Sequence, residues 1–188
     1  MKTNKTRDEL IVAGIREADR YGIANFSIRR VATECGVSCA TPYKHFKDRN
    51  DFIFAMLRYI NQKWYSIQRE ILIKYPGDTR KRIVEISIAY INFLLDNPNF
   101  RTMIMESNHE LTEEQIQERS NLSQCTLELI ESYCREVNMA EDVKARKLFI
   151  IRSIVYGASI MIDNGQMERC EQTFKMVEKM IEREFEIP

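Results

Sequence analysis

A chain of 188 residues carrying 28 Lys and Arg against 28 Asp and Glu has room for one ordinary domain or two small ones and for a real core. Its 6 glycines and 4 prolines stand among abundant Leu, Ile, Met, Glu, Lys and Arg, side chains that lose little rotamer freedom in a helix. No run of about 18 apolar residues is present, and the opening MKTNKTRDEL is basic and then acidic, so the sequence predicts a cytoplasmic protein with no membrane partner.

The charge is unevenly spread. Residues 1–64 hold 12 Lys and Arg against 7 Asp and Glu, whereas residues 65–188 hold 16 against 21. A basic first third on an acidic remainder predicts that the first third meets an anion, with nucleic acid the leading candidate.

From Thr6 to Tyr21, Leu10, Ile11, Ile15 and Ala18 recur at helical spacing, and Gly22 follows as a stop. Ser27 is the expected N-cap of IRRVATEC, whose Ile28, Val31, Ala32 and Cys35 share an apolar face, and Gly36 is the expected left-handed terminator. Ser38 then caps CATPYKHF, so only Gly-Val-Ser joins two short helices. This is the sequence form of a helix-turn-helix, with small Ala32 where the helices approach. Pro42 belongs in the first turn of the third helix, where a lost donor matters least, and its rigid surface is expected to help shape a groove contact.

From Asp51 the helices lengthen. One spans 51–74 and stops at YPGD, a second spans 79–96 and ends at DNP, and a shorter one spans 98–107. Three more cover about 111–137, then 141–163 up to DNG, and 166–186. The expected fold class is all-α with about nine helices, without strand-like alternation or internal repeats.

The last two helices leave two arrangements open. Met167, Cys170, Phe174, Val177 and Ile181 follow a 3-4-3-4 spacing that makes a continuous seam, with Met176 and Met180 beside it. The helix before is apolar nearly all round, and Gly157 in its middle invites close helix approach. Such a pair either joins its two-fold mate in a four-helix interface or packs wholly within one chain.

Cys35, Cys39, Cys125, Cys134 and Cys170 are an odd, scattered set without CxxC spacing. Cys35, Cys39 and His45 would offer a metal three ligands and no fourth, so no metal or other cofactor is expected and the thiols read as buried and reduced. There is no Gly-rich phosphate loop, HExxH or GxSxG, and with two histidines the chain is not expected to be an enzyme.

Residues 10–57 resemble the DNA-binding domain of the TetR-type transcriptional repressors. The resemblance rests on LIVAGIREADRYG and FSIRRVATECGVSCATPYKHFKDRNDF, through Gly22, Ser27, Val31, Ala32, Gly36, Val37, Ser38, Tyr43, His45, Phe46 and Arg49. Glu17 departs from the pattern by standing where an apolar residue is usual, and Ala18 by replacing an aromatic one. The resemblance implies a DNA-binding domain over residues 1–50, a helical ligand-binding and dimerisation domain over 51–188, and a homodimer on double-stranded operator DNA. It also implies repression relieved by a small-molecule effector.

A helix-turn-helix sets its second helix in the major groove, where phosphate contacts fix register and base edges choose sequence. Cys39, Ala40 and Thr41 are the residues expected nearest the base edges, with Ala40 and the Thr41 methyl suited to thymine. Lys44 can reach a guanine edge or a phosphate, while Tyr43, His45, Lys47 and Arg49 suit phosphates. By resemblance, Tyr43 and His45 clamp the backbone. Arg29 and Arg30 emerge from the preceding helix, and one of the two is expected to face DNA. Ser27 opens a helix whose N-terminal amides are a ready phosphate site. Phe46 is expected in the core.

For the implied effector, Trp64, Tyr65, Tyr90, Phe93, Phe100, Met103 and Tyr133 are the pocket material, with Asn92, Asn108 and His109 to orient a ligand. The implied dimer would use Ile154, Gly157, Ile160 and Met161 together with the seam. Two alternatives compete. A thiol-switched DNA-binding regulator would use Cys125 and Cys134, yet nine residues on one helix separate them by about 13 Å, too far to bridge. The other is a protein-interaction module that binds no DNA.

Overall fold

Helix dominates wherever the chain can be followed. The computed structural model describes residues 2–105 and 108–186, with side chains from Arg7 onward except that of Asn108. Among the described residues are eight α-helices: α1 (Lys2–Tyr21), α2 (Ile28–Glu34), α3 (Arg49–Lys74), α4 (Thr79–Asp96), α5 (Phe100–Met105), α6 (Glu113–Glu136), α7 (Glu141–Asp163) and α8 (Glu171–Glu184). Two 3₁₀ turns, Pro42–Lys44 and Asn108–Glu110, complete the order, and no strand occurs among the described residues. The fold is therefore all-α as expected, with the third predicted helix present as a 3₁₀ turn.

The chain divides into two compact units that interleave in sequence. The first takes Met1–Trp64 and Asn97–Leu122, the second Tyr65–Asp96 and Ser123–Pro188. Helices α3 and α6 each give their first part to the first unit and their second part to the second.

In the first unit, α1 buries Leu10, Ile11, Ile15 and Ala18 on the face read from their spacing. Gly14 lies among them because α3 comes close: a Cβ there would stand 2.9 Å from the Met56 sulfur and 3.0 Å from the Phe52 ring. Phe52 is itself held, stacked on Phe46 with centroids 3.9 Å apart and meeting Phe26 edge-on at 5.3 Å. Farther along α3, buried Trp64 donates from Nε1 to the Leu122 carbonyl at 2.9 Å.

In the second unit, α4, α7 and α8 close around Val84, Ile91, Ile151, Val155, Ile162, Val177 and Ile181. Helix α8 starts at Glu171 rather than at 166. After Asn164 the chain turns through Gly165 at φ +69°, and the Gln166 and Met167 amides both bond the Met161 carbonyl. Cys170 is then the N-cap of α8. Met167 and Cys170 thus precede the helix on which a single seam was counted.

Candidate nucleic-acid interface

Three short elements of the first unit position the expected reading residues. Gly22, at φ +75°, ends α1, and Ser27, in extended conformation, opens α2 by accepting the Arg30 amide at 3.4 Å. After Cys35 the chain reverses at Gly36, whose φ of +66° is the left-handed conformation that glycine adopts without a Cβ penalty. The Val37 amide returns to the Ala32 carbonyl at 3.0 Å, and Ala32 is buried as expected of a close approach.

The segment after Ser38 is not the regular helix predicted over 39–46. An α-helix there needs an amide at position 42 to bond the Ser38 carbonyl, and proline has none. The Ser38 carbonyl takes the Thr41 amide instead, at 2.9 Å, and the Thr41 carbonyl takes that of Lys44 at 3.1 Å. The Pro42 carbonyl accepts from both His45 and Phe46 at 2.9 Å. Three-residue closures of this kind define a 3₁₀ turn. The Ser38 hydroxyl consequently caps no helix and lies 3.0 Å from that of Thr41.

Burial sorts the expected contacts. Arg29, Ser38, Cys39, Ala40, Tyr43, Lys44 and Lys47 are exposed, and Ser27, Thr41, His45 and Arg49 are half-buried. Pro42 is buried, so it fixes the turn from inside and presents no surface of its own. Phe46 is in the core. Arg49 is also committed: its guanidinium donates to the Ile23 carbonyl and, at 3.3 Å, to that of Ala24, tying the start of α3 to the loop before α2.

The two arginines of α2 differ sharply. Arg30 lies 2.5 Å from the carboxylate of Glu17, donates to the Asn25 carbonyl at 2.5 Å, and has its guanidinium 4.4 Å from the Tyr21 ring centroid. The hydrogen bond to Glu17 holds the Arg30 guanidinium even more firmly protonated than usual. Among the described residues Arg29 has no such partner, and its side chain is exposed. Glu34 pairs in turn with Arg16 at 2.8 Å and Arg20 at 3.5 Å, so carboxylates at two places bind α2 to α1.

Sequence reasoning missed the partner of Glu17, although a carboxylate on the apolar face of α1 was itself the signal. It also missed the reciprocal cap of α3, where Asp48 accepts the Asp51 amide at 2.9 Å and Asp51 accepts the Lys47 amide at 2.8 Å. Cys39 is exposed and Cys35, Cys125 and Cys170 half-buried, so of the five thiols expected to be buried Cys134 alone is fully so. A thiol fits readily at a half-covered helix edge, which composition does not reveal.

The residues assembled as pocket material are shared between the units. Trp64, Phe100, Met103 and His109 lie in the first, and Tyr65, Tyr90, Phe93 and Tyr133 in the second. Tyr65 and His109 are exposed, whereas Trp64, Phe93, Phe100 and Met103 are buried. Tyr133 closes on its own unit, its hydroxyl donating to the Phe185 carbonyl at 3.2 Å. Asn92 accepts from Arg169 at 3.0 Å, and the Asn108 side chain is outside the described residues.

The expected seam also changes face. Val177 and Ile181 lie in the core of the second unit, with Met167, Phe174 and Ile154 packed against it. The apolar side chains left open are Phe149, at 73 % exposure, with Ile160 and Met161 on α7 and Met176 and Met180 on α8. Gly157 makes no close approach within the chain, since a Cβ there would meet nothing within 4 Å.

A capped helix, a glycine turn and a short exposed basic turn on a three-helix head define a helix-turn-helix protein. Residues 10–56 match the sequence model of the bacterial regulatory proteins of the tetR family. A helix-turn-helix-type transcriptional regulator of Staphylococcus aureus strain bovine RF122 is 29% identical over 94 residues, covering 50% of each chain. A second, from strain USA300, is 29% identical over 119 residues and 58% of each chain. The match thus spans about half the length of those relatives. In fold, a TetR family transcription regulator from Marinobacter aquaeolei is similar over 98% of both chains, with a TM-score of 0.80 at 16% identity. The TetR family regulator PfmR from Thermus thermophilus is similar over 92% of this chain and 94% of its own, with a TM-score of 0.68 at 14% identity. Residues 10–56 thus match the tetR family of bacterial regulatory proteins, and the chain shares the fold of TetR-type regulators of known structure.

Proposed function

We propose that this protein is a homodimeric, sequence-specific DNA-binding transcriptional regulator, a repressor that a small-molecule effector releases from its operator. Residues 1–50 are the reading head, and residues 51–188 carry dimerisation and effector response. The observation that carries the DNA-binding reading is that Arg29 on α2 and Tyr43, Lys44 and Lys47 in and after the 3₁₀ turn are all exposed. Three exposed cations and a phenol suit a phosphate backbone, while Cys39, Ala40 and Thr41 just before the turn suit base edges.

The dimer reading is supported by the open apolar face of α7 and α8. On the outer face of α8, Met176 and Met180 stand among Gln172, Lys175, Lys179 and Arg183. With Phe149, Ile160 and Met161 the two methionines offer apolar surface for a partner, and the open space beside Gly157 admits a helix. Two reading heads related by a two-fold axis would engage half-sites about 34–36 Å apart, or a multiple of that.

The thiol-switch alternative draws little support. Burial pushes the thiols of both Cys125 and Cys134 up, which makes the thiolate that oxidation requires scarce. Footprinting on the DNA beside the protein's own gene tests the proposal: a protected two-fold-symmetric site is the expected result, and uniform, salt-sensitive coating without a site contradicts it.

A further inference from the structure

Two buried donors of the second unit have no hydrogen-bond partner among the described residues. Gln68, on α3, is 4 % exposed, and its Nε2 has no hydrogen-bond partner. The Nε of Arg82, on α4, is likewise buried and unpartnered. Arg82 reaches the turn of α3 that follows Gln68. The Arg82 Nη2 donates to the Leu72 carbonyl at 3.0 Å, and Leu72 follows Gln68 by one turn of α3, about 6 Å along the axis. Cys125, on α6, feels the Arg82 charge, so three helices converge around these donors.

Nearby carboxylates are already occupied. Glu85 takes Lys81 at 3.1 Å and the Tyr75 hydroxyl at 3.2 Å, and Glu128 takes the Gln124 amide at 2.8 Å. Arg82 forms no ion pair among the described residues. A guanidinium with an unpartnered Nε–H, held at the turn of α3 that follows a buried primary amide, presents a single positive charge and two sets of donors. That combination matches a monoanion with two acceptor oxygens, since a dianionic phosphate would call for more cations.

We infer that Gln68 and Arg82 anchor an effector site for a small-molecule carboxylate, with Cys125 at its wall. The inference rests on the proposal that the protein responds to a small molecule, and it names the chemistry of that response. Arg82 neutralises the carboxylate and Gln68 donates to one of its oxygens, so two buried donors gain the partners they lack.

Thermal unfolding of the full chain tests the site with sodium octanoate and sodium benzoate, each against its uncharged counterpart, octanol or benzyl alcohol. A carboxylate at about ten times its Kd is expected to raise the melting temperature by about 3–6 °C, with no shift from its counterpart. Arg82→Met and Gln68→Leu are expected to abolish the shift. Gln68→Leu is also expected to melt higher than the parent without any carboxylate, because it removes an unpartnered buried amide. Three results would overturn the site: no shift with either carboxylate, shifts that Arg82→Met retains, or a lower melting temperature of Gln68→Leu without carboxylate. Failure of the regulatory proposal shows differently, as intact carboxylate shifts with operator binding that neither carboxylate changes.

Discussion

The guanidinium of Arg30 is held 2.5 Å from the carboxylate of Glu17, a side chain otherwise enclosed at 2 % exposure. A carboxylate buried without a partner would be costly, so Arg30 is committed to Glu17, and the proposed function gives the DNA contact to exposed Arg29. Arg29→Ala is therefore predicted to weaken operator binding about ten-fold, the ~1.5 kcal/mol of one charge-assisted hydrogen bond, and to lower the salt slope by about 1. Arg30→Ala is predicted to lower the melting temperature first and to change the salt slope little. Fluorescence anisotropy across a salt series, beside thermal melts, separates the two. The assignment fails if Arg30→Ala takes the slope change and Arg29→Ala takes the loss of stability.

Gly14 should resist even alanine. Alanine gains about 1 kcal/mol of helix propensity over glycine, but its Cβ presses on Met56 and on a Phe52 ring pinned between Phe46 and Phe26. Overpacking of this kind costs about 1–3 kcal/mol. Gly14→Ala is predicted to lose about 1 kcal/mol net and to melt about 2–4 °C lower. A melting temperature above the parent's would show that Phe52 can retreat.

Two faces of α8 should answer differently to substitution. Met176→Glu with Met180→Glu adds charge to the open face and is predicted to give folded monomers by light scattering. Ile181→Ala removes a core side chain and is predicted to cost about 2–5 kcal/mol in denaturant unfolding while leaving the folded fraction dimeric. Dimers that survive the double glutamate change would move the interface elsewhere.

Cys170 is predicted to be the thiol of the second unit that alkylates first as pH rises. The Thr173 hydroxyl, 3.4 Å from the Cys170 sulfur, and the amides at the start of α8 favour its thiolate, which lowers its pKa from the ordinary thiol value. Burial raises those of Cys125 and Cys134. Iodoacetamide labelling followed by peptide mass analysis should therefore reach half its maximal rate at lower pH for Cys170 than for the other two. Equal profiles for the three would contradict the cap geometry.

Much of this was legible because local rules and tertiary structure agree. Ser27 caps α2, Gly36 takes the left-handed turn, and α4 and α7 run over the residues that their apolar spacing and stop signals marked. Legibility failed where a pattern crosses a backbone break. The spacing from Met167 to Ile181 reads as one seam, but the loop at Gly165 delays α8 to Glu171, and the later members turn into the unit's own core. Pro42 was correctly placed at the start of a short element, but spacing does not distinguish an α-turn from the 3₁₀ turn that its missing amide imposes. Glu17 and Arg30, thirteen residues apart, form a pair that depends on the angle between two helices, which no local pattern encodes.

The most direct measurement is operator affinity by fluorescence anisotropy for the parent and for the Tyr43→Ala, Lys44→Ala double variant, each over a salt series with thermal melts alongside. Both side chains are exposed, so the fold should be unchanged. The double variant is predicted to bind at least about ten-fold more weakly, with a salt slope lower by about 1 or more, at an unaltered melting temperature. Unchanged affinity and slope in a folded double variant would contradict the assignment of the Pro42–Lys44 turn as the element that meets DNA.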